Sequence, residues 1–336
     1  MKKLSLLLVL VMVLGMLSGF AMAEDKIRVA FVPQLIGIPY FTAMEEGGNE
    51  AAEVFDVDFM YVGATTASAS EQSRLVDSLI KQQVEAISVA TLDSASLNPI
   101  LEKGKAAGLK MFTSDSDSAD SCREVFVCQA LDDALGYTMI DCLVADIKNN
   151  IGGDGVIQIG IVSGEATATN LNSWISYMQE NIDKNYAGEV EIVDVRFTQG
   201  GSSEDSLKQA QELLIKYPDL KGLVAVASSC IPGVCQEVEQ AGKIGEVFVS
   251  CYGSPLTIQP YIEKGIMKTS VIWDAKALGY LTFWAGYMLA NNMPFEAENT
   301  VEGMDAPVRY FEDTGILLLG DPLIVTPDNI ENYLYF

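Results

Sequence analysis

Short apolar runs alternate along this chain with longer stretches in which apolar residues return every third or fourth position. The first pattern reads as buried strand and the second as amphipathic helix. IRVAFVPQ (27–34) predicts a strand and PYFTAMEEGGNEAAEVF, just after it, a helix. VDFMYVGA, AISVA, LKMFTSD and VFVCQA predict four more strands, with helices around SEQSRLVDSLIKQQ, LNPILEKGKAAG and ALGYTMIDCLVADIKNN. After the turn IGGDG the series repeats: strands VIQIGIVS, EIVDVRFTQ, GLVAVASS, EVFVSCYG and KTSVIWD alternate with helices and end in the long helix AKALGYLTFWAGYMLANN (275–292). Strands alternating with helices over short connections predict parallel sheets covered on both faces. Two such series predict an α/β protein of two doubly wound lobes, with ligands binding beyond the carboxyl ends of the strands. Gln34, Asp115, Ser228, Ser229, Tyr252 and Asp274 stand at such ends.

Composition narrows the chemistry. The first 23 residues join Lys2 and Lys3 to an apolar stretch ending Ala-Met-Ala, which predicts a secretory signal peptide cut after Ala23. No cysteine follows to carry a lipid, so a soluble periplasmic protein is expected. The net charge is −25, and removing Lys2 and Lys3 takes it to −27. A surface this acidic repels phosphate backbones and argues against nucleic acid. The absence of histidine removes Ser-His-Asp and Cys-His nucleophiles and the usual zinc sites. An exported chain with six cysteines permits disulfides. Cys122 and Cys128 flank a short turn and are a candidate pair. Cys230 and Cys235, if helical throughout, would lie more than about 7 Å apart, too far to bridge. Cys142 and Cys251 read as buried thiols.

The run FTSDSDSAD places Asp115, Asp117 and Asp120 after an apolar strand. A calcium loop starting at Asp115 would need an oxygen ligand, glycine and glutamate where Ala119, Asp120 and Phe126 stand. Asp115 and Asp274 could flank a glycosidic bond as a hydrolytic pair. IGGDG precedes its strand, the reverse of a phosphate-cradling loop. The remaining chemistry is a polyol site, in which carboxylates and amides bind adjacent hydroxyls and rings cover C–H faces. Its candidates are Asp115, Asn170, Asp274, Gln34, Gln129 and Ser228 as polar groups, with Tyr40, Phe41 and Trp273 as rings. Trp174 is a further ring for which core packing competes, and Asp117 and Asp120 read as a solvated loop. No metal or cofactor is expected, and no enzymatic activity.

RVAFVPQLIGIPYFTAMEEGGNEAA, FTSDSDSADSCR with CQA, and GSPLTIQPYIEKGIMKTSVIWDAKALGY, in this order and spacing, resemble the sugar-type periplasmic solute-binding proteins of ABC importers. Within that class the chain resembles the autoinducer-2-binding and rhamnose-binding group. The resemblance implies two lobes joined by three crossings, near Ala130, Asp274 and Asn299, closing on a ligand. It divides the chain into 24–130 with 275–299, and 131–274 with 300–336. It implies a monomer that delivers its ligand to a membrane permease and ATPase. Asp115 stands at the group's ligand-binding aspartate. Gln34 stands where a lysine is expected, Asn170 and Leu171 where an aspartate and a glutamine are, and Val226 and Ser228 where a proline and an alanine are. The site is therefore expected to suit another neutral, sugar-like ligand. A sensory protein docking on a receptor and a secreted glycosidase are the alternatives.

Overall fold

The structure is a computed structural model that describes residues 26–199 and 201–335; the proposed signal peptide lies outside the described residues. The first series forms β1 (Arg28–Val32), α1 (Pro39–Phe55), β2 (Asp58–Tyr61), α2 (Ala69–Lys81), β3 (Ala86–Val89), α3 (Ser94–Ala106), β4 (Lys110–Ser114) and β5 (Phe126–Cys128). The second forms α4 (Asp132–Ile151), β6 (Ile157–Ser163), α5 (Thr169–Asn185), β7 (Val190–Phe197), α6 (Ser203–Lys216) and β8 (Leu220–Ala225). It continues through α7 (Ile231–Gln240), β9 (Phe248–Cys251), α8 (Pro255–Glu263), β10 (Ser270–Ile272) and α9 (Ala275–Ala290). Four short strands follow: β11 (Glu298–Asn299), β12 (Val308–Phe311), β13 (Ile316–Leu318) and β14 (Leu323–Val325).

The first sheet runs β11-β12-β13-β5-β4-β3-β1-β2, and the second β7-β6-β8-β9, with β10 and β14 paired beside it. The α/β alternation is parallel throughout β1–β5 and β6–β9. Side chains of β1 sort by parity, as a sheet covered on both faces requires. Ala30 and Val32 join Val76, Leu79 and Leu101 of α2 and α3. Val29 and Phe31 join Met44 of α1 and Phe283 of α9 on the other face.

The last 30-odd residues depart from the division expected. β12 and β13 return to the first lobe, where Ile316–Leu318 pair in parallel with Phe126–Cys128. Only β14 joins the second lobe, opposite β10. The third crossing is therefore the link from β13 to β14, residues 319–322, and Asn299 lies inside the first sheet. The other crossings are the β5–α4 and β10–α9 links, at the expected places. Strands β11 to β14 follow one another without intervening helices, so the strand–helix alternation that marked the others does not mark them. The candidate disulfide is also absent: all six cysteines are free thiols. Cys122 packs into the α2–α3 core, whereas Cys128 packs with Phe126 and Leu318. Cys142 is half-buried.

Helices α1 and α9 cross at glycines. A Cβ on Gly47 would lie 1.9 Å from the Lys276 carbonyl oxygen, and one on Gly279 would lie 2.0 Å from that of Met44. This contact fixes the start of α1, which carries Tyr40, against the second crossing. Gly47→Ala and Gly279→Ala are expected to cost about 1–3 kcal/mol each through overpacking. The measurement is urea unfolding, as a lower midpoint at unchanged m-value; an unaltered midpoint would contradict the crossing.

Candidate functional site

Between the lobes lies a cleft with about 590 Å³ of empty space, part of it open to solvent. Asp115 enters it from the first lobe. It is the residue after β4, with φ of 68°, a left-handed conformation that aspartate tolerates better than most residues. Its N–H donates to the Val127 carbonyl at 3.2 Å and its side chain is 96% removed from solvent. The hydroxyl of Tyr40, in the first turn of α1, donates to Asp115 Oδ1 at 2.5 Å. The indole of Trp273 donates in turn to the Tyr40 hydroxyl at 2.9 Å. Desolvation pushes the Asp115 carboxyl up to about 7, opposed by the Tyr40 hydrogen bond. The same burial, with the carboxylate beside it, pushes the Tyr40 phenol well above its ordinary value.

The rings form a continuous wall. Phe41 meets Tyr40 at 4.9 Å, Tyr40 meets Trp273 at 5.8 Å, Trp273 meets Trp174 at 5.6 Å, and Trp174 meets Tyr252 at 4.7 Å between centroids. Their polar tips are occupied, which holds each ring in place. Trp174 Nε1 donates to Asp132 Oδ1 at 2.8 Å and Tyr252 Oη donates to the Leu135 carbonyl at 3.0 Å. Asp132 is itself held by Ser173 Oγ at 2.5 Å.

The second lobe contributes Asn170 and Leu171 from the first turn of α5, Glu165 after β6, and Ser228 and Ser229 after β8. Ser228 Oγ donates to the Tyr252 carbonyl at 3.0 Å. The mouth is bridged: Gln34 Nε2 reaches Asn170 Oδ1 at 3.5 Å and Ser94 Oγ lies 3.2 Å from Thr169 Oγ1. Gln34 also donates to the Thr91 carbonyl at 3.2 Å. These contacts join the lobes in a closed arrangement.

Asp115, Asn170, Gln34, Tyr40, Phe41, Trp273 and Ser228 thus converge on one cleft. Asp274 and Gln129 do not. Asp274 caps α9, its Oδ1 accepting the Ala277 N–H at 2.9 Å, and its Oδ2 accepts the Tyr335 hydroxyl at 2.6 Å. An aspartate immediately before a helix is a cap signature, legible in DAKALGY. Asp115 and Asp274 therefore do not face each other across the cleft as the pair considered for hydrolysis. Gln129 is turned to the other side of Trp273. Asp117 is no solvated carboxylate either. Arg123, almost fully buried, grips it through Nε at 2.7 Å and Nη2 at 2.8 Å, and Thr113 Oγ1 donates to it at 2.5 Å. Asp120 is exposed, though within 3.0 Å of Arg123. Sequence reasoning missed Glu165 as a lining residue, set Trp174 against core packing, and placed Tyr252 at a strand end without a role in the site. Tyr252 follows the end of β9, the pattern that marked the others, whereas Trp174 lies in the second turn of α5.

The Asp115 proton has a stability consequence. Its folded value near 7 exceeds its ordinary value of 3.8, so the folded chain holds a proton that the unfolded chain releases. Stability from this group falls as pH rises from about 4 to about 7 and is level above. Asp115→Asn should therefore gain stability relative to the parent protein as pH increases through that window, in thermal melts without ligand. A pH-independent difference would contradict the assignment.

A model of the periplasmic binding protein domain matches residues 29–293. The chain is 27% identical over 294 residues to the D-ribose/D-allose-binding protein of Pseudomonas aeruginosa, covering 84% of this chain and 88% of that one. Its backbone is similar to that of LsrB from Clostridium saccharobutylicum solved in complex with AI-2, with TM-score 0.85, 23% identity, and coverage of 91% and 99% of the two chains. It is also similar to an ABC transporter solute-binding protein from Clostridium phytofermentas with bound L-rhamnose, with TM-score 0.83, 24% identity, and coverage of 92% and 98%. Two α/β lobes closed over a ring-lined cleft, under a domain model spanning most of the sequence, lead to one conclusion: this chain belongs to the periplasmic binding protein family, whose members bind ligands and do not transform them.

Proposed function

We propose that this protein captures a small uncharged sugar in the interlobe cleft and hands it to the permease and ATPase of an ABC importer. The observation that carries the reading is the lining itself: carboxylate, amide and hydroxyl groups against five aromatic rings, with no lysine or arginine among the described lining residues. That set suits hydroxyls and C–H faces and offers an anionic sugar no counter-charge. The names of the relatives, D-ribose/D-allose-binding and L-rhamnose-bound, point the same way.

In this reading Asp115 accepts a ligand hydroxyl through Oδ2, since Oδ1 already takes the Tyr40 hydroxyl. Asn170 and Gln34 bind from opposite lobes, so a sugar touching both favours the closed form by differential affinity. Phe41 and Trp273 cover the ring faces. Leu171, where the autoinducer-2 binders are expected to carry an amide, adds apolar surface and favours a ligand other than autoinducer-2.

A thermal-shift panel tests this with ribose, allose, rhamnose, further pentoses and hexoses, and autoinducer-2, beside glucuronate and ribose 5-phosphate. A ligand at a hundred times its Kd adds about 2.7 kcal/mol of stability, and one neutral sugar is expected to do so while both anions do nothing. Asp115→Ala should weaken that sugar about tenfold in calorimetry by removing a buried hydrogen bond, with a cooperative melt retained. A shift by the anionic sugars alone would overturn the reading.

A further inference from the structure

Each tryptophan of the ring wall has an acceptor for its indole, and the two acceptors differ. Trp273 donates to the Tyr40 hydroxyl, and Tyr40 itself lines the cleft. Trp174 donates to Asp132, which does not line it. A ligand in the cleft meets the first acceptor and not the second.

Asp132 opens α4, directly after the first crossing. Two acids in the first turn of a helix read from sequence as partners of its dipole. Asp133 keeps to that role, exposed, its Oδ1 accepting the Ala134 N–H at 2.8 Å. Asp132 turns to α5 instead. The two helices touch closely one turn further on, where a Cβ on Gly136 would lie 2.6 Å from that of Tyr177 and 2.8 Å from the Trp174 carbonyl oxygen. Asn181 Nδ2 pins them again, donating to the Tyr137 carbonyl and to Asp141 Oδ1 at 2.9 Å each. This approach sets the Asp132 carboxylate between two donors of α5, Ser173 Oγ and Trp174 Nε1. Holding a carboxylate there is costly: burial pushes its proton affinity up, and the two hydrogen bonds oppose the push. The same turn of α4 carries the Leu135 carbonyl that takes the Tyr252 hydroxyl. Both second-lobe rings are therefore attached where the chain leaves the first crossing.

We propose that Asp132 is a positioning residue for ligand binding: through the indole of Trp174 it holds the second-lobe end of the ring wall at the angle on which a sugar stacks. The role rests on the reading of the cleft as a sugar site. A ring held in place before the ligand arrives spares binding the cost of ordering it. Without the carboxylate, the bound form needs Trp174 in its place with the indole N–H buried and unpaired, whereas the free chain can turn the ring away. The penalty then falls on the bound form alone.

The test compares Asp132→Leu, which keeps the shape of the side chain and removes both acceptor oxygens, with Asp132→Asn, which keeps an acceptor and removes the charge. The cooperative melt of each variant is checked first. In proton–nitrogen correlation spectra of the mature full chain without ligand, the three tryptophans give three indole signals, and Trp174→Phe identifies that of Trp174. Asp132→Leu should move this signal upfield, and Asp132→Asn should leave it near its parent position. In calorimetry with the sugar found by the thermal-shift panel, Asp132→Leu should weaken binding about tenfold, as expected for a buried donor left unpaired. Asp132→Asn should restore most of that affinity. In a Trp174→Phe chain, which has no indole N–H, Asp132→Leu should have little further effect. An unmoved indole signal in Asp132→Leu would overturn the proposal, and so would equal losses of affinity in the Leu and Asn variants. A full loss on top of Trp174→Phe would also overturn it and place the effect in the crossing. A parent chain that binds no neutral sugar overturns the cleft reading and this role with it; that failure is told apart because the indole signal still moves in Asp132→Leu.

Discussion

A single buried carboxylate holds the functional half of this molecule together. Asp115 lies beyond β4, Tyr40 opens α1, and Trp273 begins the second crossing, so three segments far apart in sequence meet through two hydrogen bonds. Burying a carboxyl group is costly unless it is neutral or bonded. Both answers operate here, in the upward push of its proton affinity and in the Tyr40 hydroxyl. The hydroxyl can reach Asp115 only because α1 lies tight against α9, and the glycines at 47 and 279 allow that approach.

The loop after Asp115 shows how a polar sequence becomes rigid. Arg123 links Asp117 to the Thr314 and Gly315 carbonyls, at 3.2 Å each, in the β12–β13 turn. A buried guanidinium with all these partners ties the site loop to a strand pair nearly two hundred residues away, and losing one member would strand a charge in the interior. The loop's left-handed residue and its ion pair thus serve one end: a fixed direction for one side chain.

The second lobe meets this apparatus through rings more than through charges. Trp174 and Tyr252 extend the wall that Phe41, Tyr40 and Trp273 begin. Trp273 sits where the wall and the second crossing coincide. Motion of the lobes therefore cannot leave the wall unchanged, because interiors this densely packed move between discrete arrangements.

The alternation of elements was legible in the chain because both periodicities are local: parity in a strand covered on both faces, and the three-to-four repeat of a helix. The carboxyl-end rule then found Asp115, Gln34, Asn170 and the rings near them. It could not choose between the two sides of Trp273, since neighbouring residues past a strand end point in opposite directions, and Gln129 and Asp274 were misplaced for that reason. The return of β12 and β13 to the first sheet, the third crossing, the free thiols and the Arg123 grip on Asp117 depend on contacts between distant segments. No local pattern encodes such contacts. The sequence by itself determined two wound lobes and the edge at which they bind; packing between remote segments decided which side chains face the ligand.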